Sequence, residues 1–419
     1  MILSLLAANT ACTKGGEQAA SSKYPAQFSL IEQGYDTGVL PKNFENCWAM
    51  AAVSAMESEL WVRTGEQVEL APGMLVNTVY TGEEAGNDEG YYSSDPLNAR
   101  CLPVWTTSAL ATHGLDGYVL TESNDYSAAD RDVIKERIMN GGALNCFIRG
   151  RDNWRFGAYD GTVTYNAPDV KDFLQLNHNV TIVGWDDNFD CTNFRPTATQ
   201  NGAWLVQNTM GSHWGDGGYF WMSYDTPLFG VCDMVLSNEY SDVLSYEAGV
   251  SCLVTTGDAT STANVFLQRG TVGAIGTYTS GPNESISIQI YSGEFGDVLL
   301  ATQSATFAYP GYHTIVLDEP VEVNSFTVIV NYPNGAPMEG ESYQATSSDG
   351  MTRGDVASSE EGQSYIYLDG QWVDVTTMGI RNMVDITSNG ESWAADGGVG
   401  LEGHHSNVPN NACIKVLFV

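Results

Sequence analysis

The sequence predicts an α+β chain, with a two-lobed domain (helical lobe, then β lobe) followed by an all-β sandwich. Three observations carry this expectation. Met50, Val53, Met56 and Leu60 recur near helical spacing, with alanines between them. Strand-like segments then gather after Gly141-Gly142. Beyond about residue 245 helical spacing disappears, and short alternating runs broken by turn residues replace it.

Taken in order, Met1 to Ala8 is a short apolar run followed by small polar residues and Cys12, similar to the end of a secretory or lipoprotein signal. Export is therefore expected, with Cys12 a candidate lipid-attachment site. Residues 13–25 read as a flexible linker, so 1–25 form a leader and linker. A helix is predicted from Cys47 to about Val62, with Gly65 beyond its end and Asn46 as N-cap. A second spans about Pro96 to Thr112, stopped by Gly114, and a third about Asp130 to Met139. Strands follow at Ala143–Ile148, Thr162–Tyr165, His178–Trp185, Ala203–Asn208 and Tyr219–Ser223. These elements place the first domain at 26–238. Ser285–Tyr291, His313–Leu317 and Phe326–Tyr332 alternate, with turns at Ser280-Gly281-Pro282-Asn283 and Tyr309-Pro310-Gly311, and place a sandwich at 245–419. Thr81–Gly90 and Ser347–Gly362 read as solvated acidic loops.

Composition narrows the function classes. The chain has 419 residues, with 51 Asp+Glu against 17 Lys+Arg and a net charge of −34. Phosphate contacts need clustered cations, so nucleic acid is excluded as a partner, and polybasic docking to anionic lipid with it. No apolar run approaches the ~20 residues of a membrane-spanning helix. Eight cysteines are present; setting aside Cys47 and Cys12 leaves six whose pairing the spacing does not choose. None forms a Cys-x-x-Cys pair, which argues against a structural zinc site.

Three distant segments supply a thiol, an imidazole and a carboxamide: Asn46-Cys47-Trp48-Ala49, Asn177-His178-Asn179-Val180 and Trp204-Leu205-Val206-Gln207-Asn208. His178 follows Cys47 by 131 residues, and Asn208 follows His178 by 30. A thiol becomes a strong nucleophile when a helix N-terminus and an imidazolium stabilise its thiolate. Cys47 would sit at such a terminus. His178 would take up and return the proton, and Asn208 would orient the ring. Each residue alone has a blander reading, as a buried thiol, a core histidine or a turn asparagine. Together, in this order, they point to cysteine-nucleophile hydrolysis.

The flanking residues make a resemblance specific. Asn177 to Asp187 reads Asn-His-x-Val-x-x-Val-Gly-Trp-Asp-Asp and is similar to the histidine strand of bacterial papain-like peptidases. Gly202 to Phe220, with Gly-Ala-Trp-Leu-Val-x-Asn and Gly-x-x-Trp-Gly-x-x-Gly-Tyr-Phe, resembles their asparagine segment. Cys47-Trp48-Ala49 with Ala52 to Glu57 resembles their nucleophile helix. The second half is similar to the lectin-like domain that follows some of these peptidases, on Tyr312–Leu317 and Asn411–Lys415. The resemblance implies a papain-like fold, a Cys47-His178-Asn208 triad, protein or peptide substrates, and neither cofactor nor metal.

Three positions depart from the family pattern. The family's oxyanion Gln, six residues before the nucleophile, is Pro41 here, which leaves Asn43 or Lys42 as candidate donors beside the Cys47 N–H. The usual Asn-Ser-Trp-Gly reads Asn208-Thr209-Met210-Gly211, so softer Met210 replaces the Trp that shields the Asn–His bond. The residues before Cys47 do not read as a long helical propeptide, so latency through such a segment is not expected.

Other candidates weigh less. Asp186, Asp187, Asn188 and Asp190 lack EF-hand register and read as a solvated turn. His404-His405, His113 and His313 are assigned no site. No Gly-x-Ser-x-Gly elbow is present. Tyr309, Tyr312, Tyr365, Trp372 and Trp393 lie in or beside predicted loops, where they would stack on sugar rings and make the sandwich a glycan-binding module. The expectation is an exported endopeptidase, extracellular or attached to the cell envelope. The rival expectation is a catalytically weak papain-fold surface protein acting in adhesion or glycan binding.

Overall fold

The computed structural model describes residues 23–40, 46–81, 103–150, 154–156, 162–170, 176–248, 253–255, 259–296, 298–339, 352–353, 358–378, 383–385 and 410–419. Cys12, Asn43, Lys42, Trp393 and His404-His405 lie outside them, as do most of the two acidic loops and residues 96–102 of the second predicted helix.

Helix α1 runs Cys47–Thr64, α2 Pro72–Val79, α3 Pro103–His113 and α4 Arg131–Gly141. Every residue of α1 from Cys47 to Leu60 is buried, so the helix has no solvent face until its last turn. Alanine and serine make that possible by letting neighbours approach its backbone. A Cβ on Gly142 would lie 2.8 Å from Glu59 N, and Ala143 N donates to Ser58 Oγ at 3.0 Å. The helix ends where Gly65 takes a left-handed φ of 78° and its N–H bonds Trp61 O. At the other end Asn46 holds the N-cap position, but its side chain bonds no first-turn N–H. Asp130 does cap α4, accepting from Val133 N.

The main strands are β1 Val119–Tyr126, β2 Leu144–Ile148, β3 Val163–Tyr165, β4 His178–Asp186, β5 Ala203–Gln207, β6 Tyr219–Ser223, β7 Phe229–Cys232 and β8 Asp242–Leu244. In the sandwich they are β9 Ser261–Phe266, β10 Gly270–Thr279, β11 Glu284–Ser292, β12 Leu299–Phe307, β13 Gly311–Val323, β14 Phe326–Asn331, β15 Ser364–Leu368, β16 Gln371–Asp374 and β17 Lys415–Phe418. One large sheet runs β8-β17-β10-β13-β1-β7-β2-β4-β5-β6-β3, and a six-stranded sheet runs β12-β11-β14-β9-β15-β16. Ile286, Ile288 and Ile290 of β11 meet Ile315 and Leu317 of β13 in the core between them.

The large sheet crosses from one domain into the other. Gly311, Tyr312 and His313 pair with Asn124, Ser123 and Glu122, which joins β13 of the sandwich to β1 of the first domain. Gly311 is required there, because a Cβ would lie 1.9 Å from Ser123 O. Beside the junction Asp233 accepts bonds from Asn124 N at 2.7 Å, Tyr126 Oη at 2.5 Å and Arg137 Nη2 at 2.6 Å. Two sequence expectations need adjustment here. The β lobe is not wholly downstream of the helices, since β1 forms between α3 and α4. Tyr312 is a fully buried strand residue, not a loop residue free to stack on a ligand.

Candidate active site

Cys47 is the first residue of α1, buried and outside any disulfide. A first-turn position lies among N–H groups that have no partner within the helix, and those partial positive charges favour an anion. The Asn46 side chain does not cap them.

His178 opens β4, opposite Ile148 of β2. Asn208 follows the last residue of β5, and β5 pairs with β4 through Gln207↔Thr181. Adjacent antiparallel strands thus bring residues 30 apart in sequence side by side. His178 Nε2 lies 2.8 Å from Asn208 Oδ1, with both groups buried. The same Oδ1 accepts from Thr209 N at 2.8 Å. A backbone N–H can only donate, which fixes which end of the carboxamide is oxygen. His178 Nε2 must then carry a hydrogen and donate it, so the neutral ring has its lone pair on Nδ1.

α1 crosses β4 at a defined point, where Thr181 Oγ1 donates to Ala51 O at 3.0 Å. That point lies one turn into α1 and three residues into β4. A second tie holds α1 against β5, since Gln207 Nε2 donates to Ser54 Oγ at 3.0 Å and to Gly38 O at 2.6 Å.

Two further residues hold the imidazole, and sequence reasoning did not single them out for this. Gly150 packs flat against His178, where a Cβ would fall 2.4 Å from His178 Cβ and 2.7 Å from its Cγ. Its N–H donates to Asn177 Oδ1 at 2.7 Å, which links the loop after β2 to the residue before the histidine. In one sequence Gly150 looks like any loop glycine. Only the approach of the ring shows why nothing larger fits.

Among the described residues no group of three or more His, Cys, Asp or Glu would hold a metal ion. In the acidic turn, Asp187 accepts from Lys135 Nζ at 2.5 Å and Tyr224 Oη at 2.8 Å, and Asp190 caps a short 3-10 helix at Cys191–Asn193. Cys191 is disulfide-bonded, whereas Cys146, Cys232 and Cys413 are buried and outside any disulfide. His313 is buried against Phe307, with rings 4.1 Å apart, and burial pushes its pKa down to about 4. It serves packing.

Comparison with known proteins matches residues 42–241 to the papain family cysteine protease model and residues 245–387 to the lectin like domain model. The first domain belongs to the papain family of cysteine proteases. A lectin-like all-β domain follows it. Curated relatives include digestive cysteine proteinase 3 of Homarus americanus, 27% identical over 202 residues, which are 42% of this chain and 54% of the relative. Cathepsin S of Rattus norvegicus is 25% identical over 191 residues, again 42% of this chain and 54% of the relative. The chain spans about half the length of these relatives. Cwp84, described as a surface layer associated protein of Clostridium difficile, was solved with its cysteine protease and lectin-like domains. That structure superimposes with a TM-score of 0.65 at 17% identity, covering 94% of this chain and 89% of that one. At this identity the likeness shows the fold, including the order of the two domains.

Proposed function

We propose that the chain is an exported cysteine endopeptidase in which Cys47, His178 and Asn208 form the catalytic triad. The single observation that carries this is the pinned His178–Asn208 pair. It presents a ring already in the tautomer that can take a thiol proton at Nδ1. Proton transfer from Cys47 to His178 gives a thiolate at the mouth of α1 and an imidazolium held by Asn208. The thiolate attacks the scissile carbonyl carbon, and the Cys47 N–H with Asn43 as second donor stabilises the oxyanion. The imidazolium then protonates the departing amine, leaving an acyl thioester. Water, deprotonated by His178, attacks the thioester and releases the acid and the thiol.

The lectin-like domain is proposed to bind glycan, and with the order of domains shared with Cwp84 this supports a place outside the cell or in its envelope. Against a casein substrate, Cys47→Ala is expected to abolish hydrolysis and labelling by a thiol-directed epoxide. Unchanged turnover in that variant refutes the triad. Pro41 and Met210 favour a second reading, a catalytically weak papain fold that acts in adhesion. An unaltered chain that binds glycan but neither hydrolyses casein nor takes the label supports that second reading.

A further inference from the structure

The outer face of the six-stranded sheet carries aromatic side chains that the sandwich core does not use. Tyr367 on β15 and Trp372 on β16 are cross-strand partners with rings 5.1 Å apart, and Tyr367 is 40% exposed. Tyr365, two residues before Tyr367, shares this face, because Ser364, Ile366 and Leu368 between them point inward. Phe295, in the turn joining β11 to β12, folds back over the sheet. Its N–H donates to Thr327 Oγ1 at 2.9 Å, and its ring lies 4.9 Å from Tyr365 and 5.3 Å from Trp372. Phe295 holds a φ of 44°, a left-handed conformation that is uncommon for so bulky a residue and costs free energy. The strain keeps a fourth aromatic ring on the surface of the domain.

Beside the rings lies a row of polar side chains. Ser287, Asn331 and Ser261 are register partners across β11, β14 and β9. Ser261 Oγ donates to Asn331 Oδ1 at 2.7 Å, and Asn331 Nδ2 approaches Ser287 Oγ at 3.3 Å. Each keeps hydrogen-bonding capacity toward solvent. The charged neighbours of the Tyr365 hydroxyl are Glu294, Asp374 and Glu361, all acidic, and Tyr365 donates to Glu294 Oε1 at 3.4 Å.

We propose that this face is a saccharide site for an uncharged oligosaccharide, with one pyranose C–H face against Tyr367 and Trp372 and its hydroxyls on the Ser287-Asn331-Ser261 row. Aromatic rings supply a large, rigid apolar contact, and amide and hydroxyl groups fix orientation. The acidic surround repels glycans that carry carboxylate, sulfate or phosphate. The site deepens the glycan-binding reading given above and rests on it.

The test uses the full chain on immobilised neutral and anionic glycans, followed by calorimetric titration with the neutral oligosaccharide retained best. Tyr367→Ala with Trp372→Ala is expected to weaken that binding about tenfold or more, while Tyr367→Phe stays within about twofold of the unaltered chain. Leu267→Ala, on an exposed residue elsewhere in the sandwich, is the unaffected control. Should the double variant fail to fold, Tyr367→Ala alone is expected to lose about threefold. Binding undiminished by these changes overturns the site and leaves the glycan reading standing. Retention by anionic glycans alone overturns the proposed ligand class. No retention by any glycan overturns both.

Discussion

The buried polar groups around His178 and those around Lys415 are arranged in opposite ways. Lys415 is fully buried, with its ammonium 2.5 Å from both Glu247 oxygens and 4.5 Å from the Tyr278 ring. Nearby, Glu339 accepts from Ala248 N at 2.6 Å and Asn411 Nδ2 at 2.8 Å, and Asn411 also donates to Tyr246 O and Ser358 O. These groups answer one another, as the low dielectric of a core demands. Around His178 one ring nitrogen is held by Asn208 Oδ1 at 2.8 Å, and other polar groups beside it are left over. Asn208 Nδ2 and Thr209 Oγ1 are buried without a hydrogen-bond partner among the described residues. A saturated cluster fixes a fold, whereas a partly satisfied one keeps capacity for a reacting group.

That contrast can be broken by substitution, and the largest effect is expected at the site. His178→Ala should lower kcat/KM on casein-derived peptides about 10³-fold, with an unchanged circular dichroism spectrum. A loss below about tenfold would move the base elsewhere. At the saturated cluster Lys415→Met should leave activity chemistry alone and cost about 3–5 kcal/mol of stability in urea unfolding, because Glu247 is left as an unpaired buried charge. Adding Glu247→Leu should recover most of that loss. If the double variant is no better than the single, desolvation is not the cause.

Gly150→Ala tests whether the ring's position is set by packing. The added methyl must displace His178, so kcat should fall about 10²-fold while KM and the unfolding midpoint change little. Equal losses in stability and activity would mean a general collapse of the loop.

The smallest effect is a pH trend in stability. Burial pushes Glu339 up to about 8 and Glu57 up to about 7, from an ordinary 4.5. Between the ordinary and raised values the folded chain holds protons that the unfolded chain has released. Stability therefore declines as pH rises from about 5 to about 8 and levels off above that. Urea midpoints across that window should fall, and Glu57→Gln with Glu339→Gln should make the slope shallower, with Asp125, also pushed up to about 8 by burial, carrying part of the rest. A slope unchanged in the double variant assigns the trend to other groups.

Local signals were enough for the elements. Ala-rich helical spacing from Cys47, ended by Gly65, marked α1, and the apolar run at His178–Trp185 marked β4. Alternation in Ser285–Tyr291 marked β11, because inward and outward residues of a half-buried strand differ in kind. Trp372 and Tyr365 were visible as aromatics, but not as neighbours of Phe295, whose turn folds back by contacts remote in sequence. Tyr312 lies beside a turn, as read, but its burial depends on strands far from it.

By itself, then, the chain's order of residues determined two domains, their element types and the three segments that carry thiol, imidazole and carboxamide. Periodicity and short motifs are local properties, and each segment holds them within its own few residues. The tertiary structure alone decided that β13 joins β1 through Gly311, that Gly150 lies against His178, and that Asn208 Oδ1 meets His178 Nε2. Those outcomes depend on approaches of a few ångströms between residues far apart in the chain, and no local pattern encodes such a distance.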